Sequence, residues 1–191
     1  MKQSDDVLSE FLSESERGEL EALADLSQAL PARAPAGSAR SRLLARAKSP
    51  GLRWAPHFDK LAALFDLSEP ALTEIAERSS QEQHWEQLPL SGVRLFHLQG
   101  GPTIAGADAG LVAIRAGTQF PHHRHGGEER TLVLEGALRE ADGTLLGPGD
   151  AQIKHAGSSH SFTVLEGASL IYAVVLFAPI EIDGARFPPA R

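Results

Sequence analysis

Gly117-Thr-Gln-Phe-Pro-His-His-Arg-His-Gly-Gly-Glu-Glu-Arg-Thr-Leu-Val-Leu-Glu-Gly136 is a strand-like stretch, bounded by glycines, that carries His123, His125 and Glu129. On an extended strand, side chains two apart share a face, so His123 and His125 point one way while His122 and Arg124 point the other. Gly126-Gly127 lets the chain turn tightly, after which Glu129 returns a carboxylate to the two imidazoles and leads into the apolar run Thr131 to Leu134. A second segment, Gly149-Asp-Ala-Gln-Ile-Lys-His-Ala-Gly-Ser-Ser-His160, supplies His160 from a different strand. Three imidazoles and one carboxylate suit Zn, Fe(II), Mn, Ni or Cu and can leave positions open for water or a small ligand. With eight histidines in the chain, a lone His-x-His pair carries little weight. The reading rests on Glu129 and His160 standing at the right offsets from that pair.

Composition narrows the field. The chain has 25 acidic against 18 basic residues, a net charge of −7, so the molecule as a whole repels a phosphate backbone and direct nucleic-acid binding is not expected. Arg40, Arg42, Arg46 and Lys48 are the nearest thing to a basic patch and read as the solvated face of an amphipathic helix. There is no cysteine, which removes disulfides, thiolate metal sites and cysteine nucleophiles and leaves nitrogen and oxygen as the only strong metal donors. Met1-Lys-Gln-Ser-Asp-Asp6 opens a polar helix without an apolar signal core, and no later run is long and apolar enough to span a bilayer. A soluble cytoplasmic protein without membrane contact is the expectation.

Two halves follow from the change of hydrophobic period. Residues 5–30 repeat apolar side chains at three- and four-residue steps and predict one broken helix or two short ones. Pro31-Ala-Arg-Ala-Pro-Ala-Gly37 interrupts them as a short linker. Residues 38–48 predict a further helix that Ser49-Pro-Gly51 stops. Phe58, Leu61, Leu64 and Phe65 form another stripe, and Ser68-Glu-Pro-Ala71 opens a helix to about Arg78, with Ser68 as the expected capping side chain. From residue 88 the chain breaks into short runs: Val93 to Leu98, Leu111 to Arg115, Thr131 to Leu134, Phe162 to Leu165 and Leu170 to Phe177. Ala141-Asp-Gly143 suits a hairpin and Gly147-Pro-Gly-Asp150 a tight turn. The organisation expected is a helical region over 1–80 and a barrel over 88–181, mainly β overall.

The spaced residues resemble the cupin superfamily. Its first motif is glycine, five residues, His-x-His, three or four residues, glutamate, six residues, glycine, and Gly117, His123, His125, Glu129 and Gly136 match every spaced position. Its second is matched by Gly149, Gly157 and His160, with His155 standing where proline is usual and Val164 where asparagine is often found. The exchange at His155 implies a looser turn. The resemblance implies a double-stranded β-helix, or jelly roll, in which His123, His125, Glu129 and His160 hold a divalent metal ion.

Narrower still, His123 to Gly136, Gly147-Pro-Gly-Asp150 and Gly157-Ser-Ser-His160 resemble the C-terminal cupin domain of ChrR-like anti-sigma factors, and the order of helical region, linker and barrel is similar. That resemblance implies a regulator that contacts an extracytoplasmic-function sigma factor in the response to oxidants, with zinc the first choice of metal and iron, manganese or nickel the alternatives. The cupin resemblance leaves a homodimer open as an assembly, since many cupins pair barrel faces. The helical half departs from the family: its zinc motif, with a His-x-x-x-Cys-x-x-Cys run, is missing, and no histidine precedes His57. A different reading of the same donors is a metal-dependent enzyme, a dioxygenase or isomerase acting on a small molecule, for which Arg115 and Arg130 are the candidate substrate-gripping residues.

Other residues are expected to play plainer parts. His97 reads as a hydrogen-bonded barrel residue, His122 and His155 as neighbours of the motifs rather than ligands, and Glu128 as solvent-facing. Trp54, Trp85 and Tyr172 read as packing residues where helices meet the barrel.

Overall fold

A computed structural model describes residues 49–187. The helices expected over 5–30 and 38–48 and the linker Pro31–Gly37 lie outside the described residues. Two α-helices come first, α1 (Phe58–Phe65) and α2 (Glu69–Ser79). Twelve strands follow: β1 (Glu86–Gln87), β2 (Val93–Leu98), β3 (Asp108–Ile114), β4 (Gln119–His125), β5 (Glu129–Glu135), β6 (Leu138–Glu140), β7 (Leu145–Leu146), β8 (Ala151–Lys154), β9 (Ser159–Val164), β10 (Leu170–Leu176), β11 (Ile180–Ile182) and β12 (Ala185–Phe187). They form two antiparallel six-stranded sheets, ordered β1-β2-β3-β10-β5-β8 and β12-β11-β4-β9-β6-β7, which face each other as a jelly roll. The chain is therefore mainly β.

The central strands of the first sheet are buried on both faces, and their sequences show why. In β3 and β10 nearly every residue is apolar, and β5 carries the buried run Leu132–Leu134 between charged ends, the pattern of strands with little solvated side. Alternate residues divide between two cores. Leu111, Ala113, Leu132, Ile171, Ala173 and Val175 pack outward against Trp54, Phe58, Leu61, Phe65 and Leu72 of the helical segment. Val112, Ile114, Val133, Leu170, Tyr172 and Val174 pack inward against Phe120, Phe162, Val164 and Ile180 of the second sheet. Burying each large apolar side chain contributes roughly 1.5–3 kcal/mol before chain entropy is counted. The second sheet has one wet face, so β4 and β9 alternate buried with exposed residues.

Several local expectations meet a different outcome. Ser68 occupies the cap position of α2 in extended geometry, but its hydroxyl caps nothing; Thr73 Oγ1 instead donates to Glu69 O at 3.0 Å. Trp54 and Trp85 do sit where helices meet barrel, whereas Tyr172 lies in the core between the two sheets. The hairpin at Ala141-Asp-Gly143 joins β6 to β7, closed by Gly143 N to Glu140 O at 2.9 Å and Glu140 N to Thr144 O at 2.9 Å. The turn at Gly147–Asp150 is closed from both ends, by Asp150 N to Gly147 O at 3.0 Å and Gly147 N to Asp150 Oδ2 at 2.8 Å.

Candidate metal centre

The position of the histidines follows from a bulge in β4. Phe120 pairs with Phe162 and His123 with His160, so β4 carries one residue more than β9 across this step. Pro121 lies in that step and has no N–H to donate to the ladder, which favours a bulge there. The extra residue shifts the side-chain alternation. Phe120 and His123 both face inward, although three residues apart, and His125 follows on the same face; His122 and Arg124 face solvent. Downstream, Glu129 shares the inward phase of Thr131 and Val133 on β5 and reaches the same space from the opposite sheet.

One ring nitrogen from each of His123, His125 and His160 lies within 4.8 Å of the others. The ring centroids are 4.4 Å apart for His123 and His160, 5.0 Å for His123 and His125, and 5.1 Å for His125 and His160. Glu129 joins through His125, with Oε2 3.1 Å from Nδ1. His97, His122 and His155 stand apart. His97 lies near two carboxylates, 3.3 Å from Glu86 and 3.5 Å from Asp108, and His122 and His155 are exposed. Glu128 engages the Arg130 guanidinium at 2.7 Å.

The two motifs are also joined through their backbones. Gly157 N donates to His125 O at 2.8 Å and His125 N to Ser158 O at 2.9 Å, while Ser158 N and Oγ both donate to His155 O. The turn expected to be loose at His155 is therefore pinned, because its closure depends on the carbonyl of residue 155 and on Gly157, whose φ of 82° suits glycine. At the end of the first motif Gly136 has a φ of 69°, and a Cβ there would meet Ser169 O at 2.6 Å.

Hydrogen bonds select which nitrogens face inward. His123 Nδ1 donates to Pro121 O at 2.9 Å and His160 Nδ1 donates to Glu140 Oε2 at 2.7 Å, which leaves Nε2 of both rings as lone-pair donors. His160 Nε2 and both nitrogens of His125 are buried without a hydrogen-bond partner in the protein. Leaving a buried polar atom unsatisfied costs about 1–3 kcal/mol, so three together mark a site built to bind something. The 3.1 Å approach of His125 Nδ1 to Glu129 Oε2 makes no aligned hydrogen bond. It does match two donor atoms sharing one ion, since bond lengths of about 2.0–2.2 Å place neighbouring donors roughly 3 Å apart. The donor set fits a divalent cation.

Electrostatics agree with that fit. Burial pushes the His123 imidazole down to about 4 from 6.5; the Pro121 carbonyl and Glu129 pull it up, and His160 and His125 push it further down. It is neutral at pH 7, with its lone pair free. Burial works to raise the Glu140 carboxyl, but the His160 hydrogen bond and charge, with Lys154 beyond, outweigh it and hold the group below its ordinary range. Burial, reinforced by the Glu129 charge, raises the Tyr172 phenol well above 10.0.

Two partners of the site escape a reading of spacing. Glu140 follows the first motif by four residues and Lys154 lies within the second, but neither stands at a spaced motif position; only the inward phase of Leu138 and Glu140 around exposed Arg139 hints at the first. Beside His123 and Glu129 lies a narrow cavity of about 60 Å³, walled by Val112, Phe120, Phe162 and Tyr172. Arg115 is exposed, and Arg130 lies over the Phe177 ring at 4.9 Å as well as against Glu128.

Comparison with known proteins places these features in context. The family model for the ChrR Cupin-like domain matches residues 76–178. The chain is 32% identical over 112 residues to the anti-sigma-E factor ChrR of Cereibacter sphaeroides, covering 59% of this chain and 50% of that protein. It thus spans about half the length of the curated relative it matches. The crystal structure of Rhodobacter sphaeroides SigE in complex with the anti-sigma ChrR aligns with a TM-score of 0.50 at 26% identity, over 83% of this chain and 77% of that one. An acetylacetone dioxygenase from Acinetobacter johnsonii aligns with a TM-score of 0.47 at 14% identity, over 58% of this chain and 80% of that one.

Proposed function

Because this chain belongs to the ChrR cupin-like family, we propose that it is a metal-binding regulatory protein of the anti-sigma type. In this reading it works in the cytoplasm by contact with an extracytoplasmic-function sigma factor, within a response to oxidants. His123, His125, Glu129 and His160 hold one divalent cation, zinc in the first instance. Bound among them, the cation supplies positive charge to the buried lone pairs and a link between the two sheets. The residues do the rest: Pro121 O and Glu140 set the tautomers of His123 and His160, and the Phe120–Phe162 stack, 5.0 Å between centroids, shields the donors from bulk water.

The observation that carries this reading is a convergent donor set beside a cavity of only about 60 Å³. Sites for drug-sized ligands span about 300–1,000 Å³, so the space suits water-sized molecules rather than a substrate of ordinary size. Neither Arg115 nor Arg130 lines that cavity, which leaves an enzyme without its candidate substrate grips. The likeness to an anti-sigma factor, across 83% of this chain in the complex with SigE, favours a sigma factor as partner. The test is affinity purification of the tagged full chain from its native host, with mass spectrometry of the eluate. Recovery of a sigma factor in near-equal amount is expected. A metal-loaded, folded bait that recovers none would overturn the regulatory reading.

A further inference from the structure

We propose that Glu140 is the positioning residue of this centre, locking His160 in the tautomer that presents Nε2 inward, and that Lys154 limits the negative charge Glu140 lends to it. The proposal rests on the reading of the lumen cluster as a divalent-cation site. Glu140 ends β6 with its side chain 4% exposed, and a carboxylate so placed is costly unless it is fully partnered. The bland role for it would be to close the β6–β7 hairpin. That hairpin is closed by backbone groups alone, through Gly143 N to Glu140 O and Glu140 N to Thr144 O. The carboxylate is free for another task.

Its two oxygens are divided between two partners. Oε2 accepts His160 Nδ1–H at 2.7 Å, a short charge-assisted bond. The opposite nitrogen of the ring, Nε2, is the buried atom without a partner. A carboxylate on the far nitrogen of a ligating imidazole fixes its orientation and raises its basicity. Oε1 faces Lys154 Nζ at 3.4 Å. Lys154 comes from the opposite sheet, where β8 places it in register with Glu129 of β5. One lysine therefore faces Glu140 with its side chain and stands in backbone register with Glu129. Its positive charge offsets part of the negative charge that would attract a cation.

The test uses two substitutions expected to act in opposite directions on zinc affinity, measured in the full chain by competition with a chromophoric chelator. E140Q should weaken zinc binding by about 10–100-fold, and E140D, which keeps the carboxylate, should recover part of the loss. K154M should tighten binding, because it removes the opposing cation, while lowering the stability of the metal-free protein. A purely structural pair predicts the reverse for lysine: both substitutions weaken binding together, and that outcome overturns the proposal, as does an E140Q affinity within twofold of the unaltered protein. If the unaltered chain binds no zinc, the cation reading itself fails, and the proposal with it. Should E140Q not fold, the His160 tautomer in the unaltered metal-free protein decides. Long-range proton–nitrogen NMR correlations should find Nδ1 protonated and Nε2 bare, and the opposite tautomer would refute the role.

Discussion

The two faces of the helix-covered sheet are made from alternate residues of the same strands, yet they do different work. On the outer face, Leu111, Leu132, Ala173 and Val175 meet Trp54, Phe65 and Leu72 in an apolar core, and among the described residues the buried carboxylates lie elsewhere, at Glu129 and Glu140. On the inner face, Val112, Val133 and Tyr172 share the lumen with Glu129 and look across at His123 and His125, which are 2% and 1% exposed. The difference teaches that stability and chemistry are separated by side-chain alternation. The outer core holds the fold, and the lumen spends part of that stability on donors that would otherwise not be buried.

The largest break in this comparison is on the outer face. Phe65, fully buried in α1, should cost about 3–5 kcal/mol when changed to alanine. Urea unfolding reads the loss, and zinc affinity of the folded fraction should stay near that of the unaltered protein. A collapse of both together would mean that the faces are not separable.

A second break uses acid. His123 has its folded pKa depressed to about 4 against 6.5, so the unfolded chain takes up this proton first as pH falls. The favourable balance present above pH 6.5 is lost progressively and is gone below pH 4. At about 1.4 kcal/mol per unit, this amounts to about 3 kcal/mol in the metal-free protein. Denaturation midpoints at pH 7, 5.5 and 4 measure it, and His123→Gln should flatten the slope.

A third change sharpens the contrast by reversing sign. His125→Leu replaces two buried unpartnered nitrogens with an apolar group of similar size, so the metal-free protein should gain about 1–2 kcal/mol while zinc binding is abolished. Loss of stability instead would mean that His125 is a structural residue. The smallest effect lies at the rim of the outer core. Arg53 engages Glu135 through Nε and NH2, and Trp54 Nε1 donates to the same carboxylate at 2.8 Å, but the charged pair is about one-third exposed. Arg53→Ala should cost no more than about 1 kcal/mol, less in high salt, by thermal unfolding.

Much of this division was legible in the sequence, for reasons that are local. The apolar run of β10 read as a strand, and His123, His125 and Glu129 sit on short segments whose direction follows from spacing. What was hidden depends on partners far along the chain. The bulge at Pro121 is not needed to put His123 and His125 on one face, but it is needed to put Phe120 there too. Tyr172 looked like a helix-facing residue because an apolar run does not reveal which of its alternate positions faces inward. Glu140 and Lys154 are ordinary surface types until β6, β8 and β9 close around His160. The two- and three-residue strands β1, β11 and β12 were not readable at all.

The central claim is that the lumen donors exist to hold one divalent cation. Elemental analysis of the full chain, purified without added metal and then titrated with zinc after chelator treatment, tests it most directly. One equivalent of zinc per chain is expected, lost in His125→Ala with the fold retained. A folded protein that carries no transition metal and takes up none on titration would contradict the account.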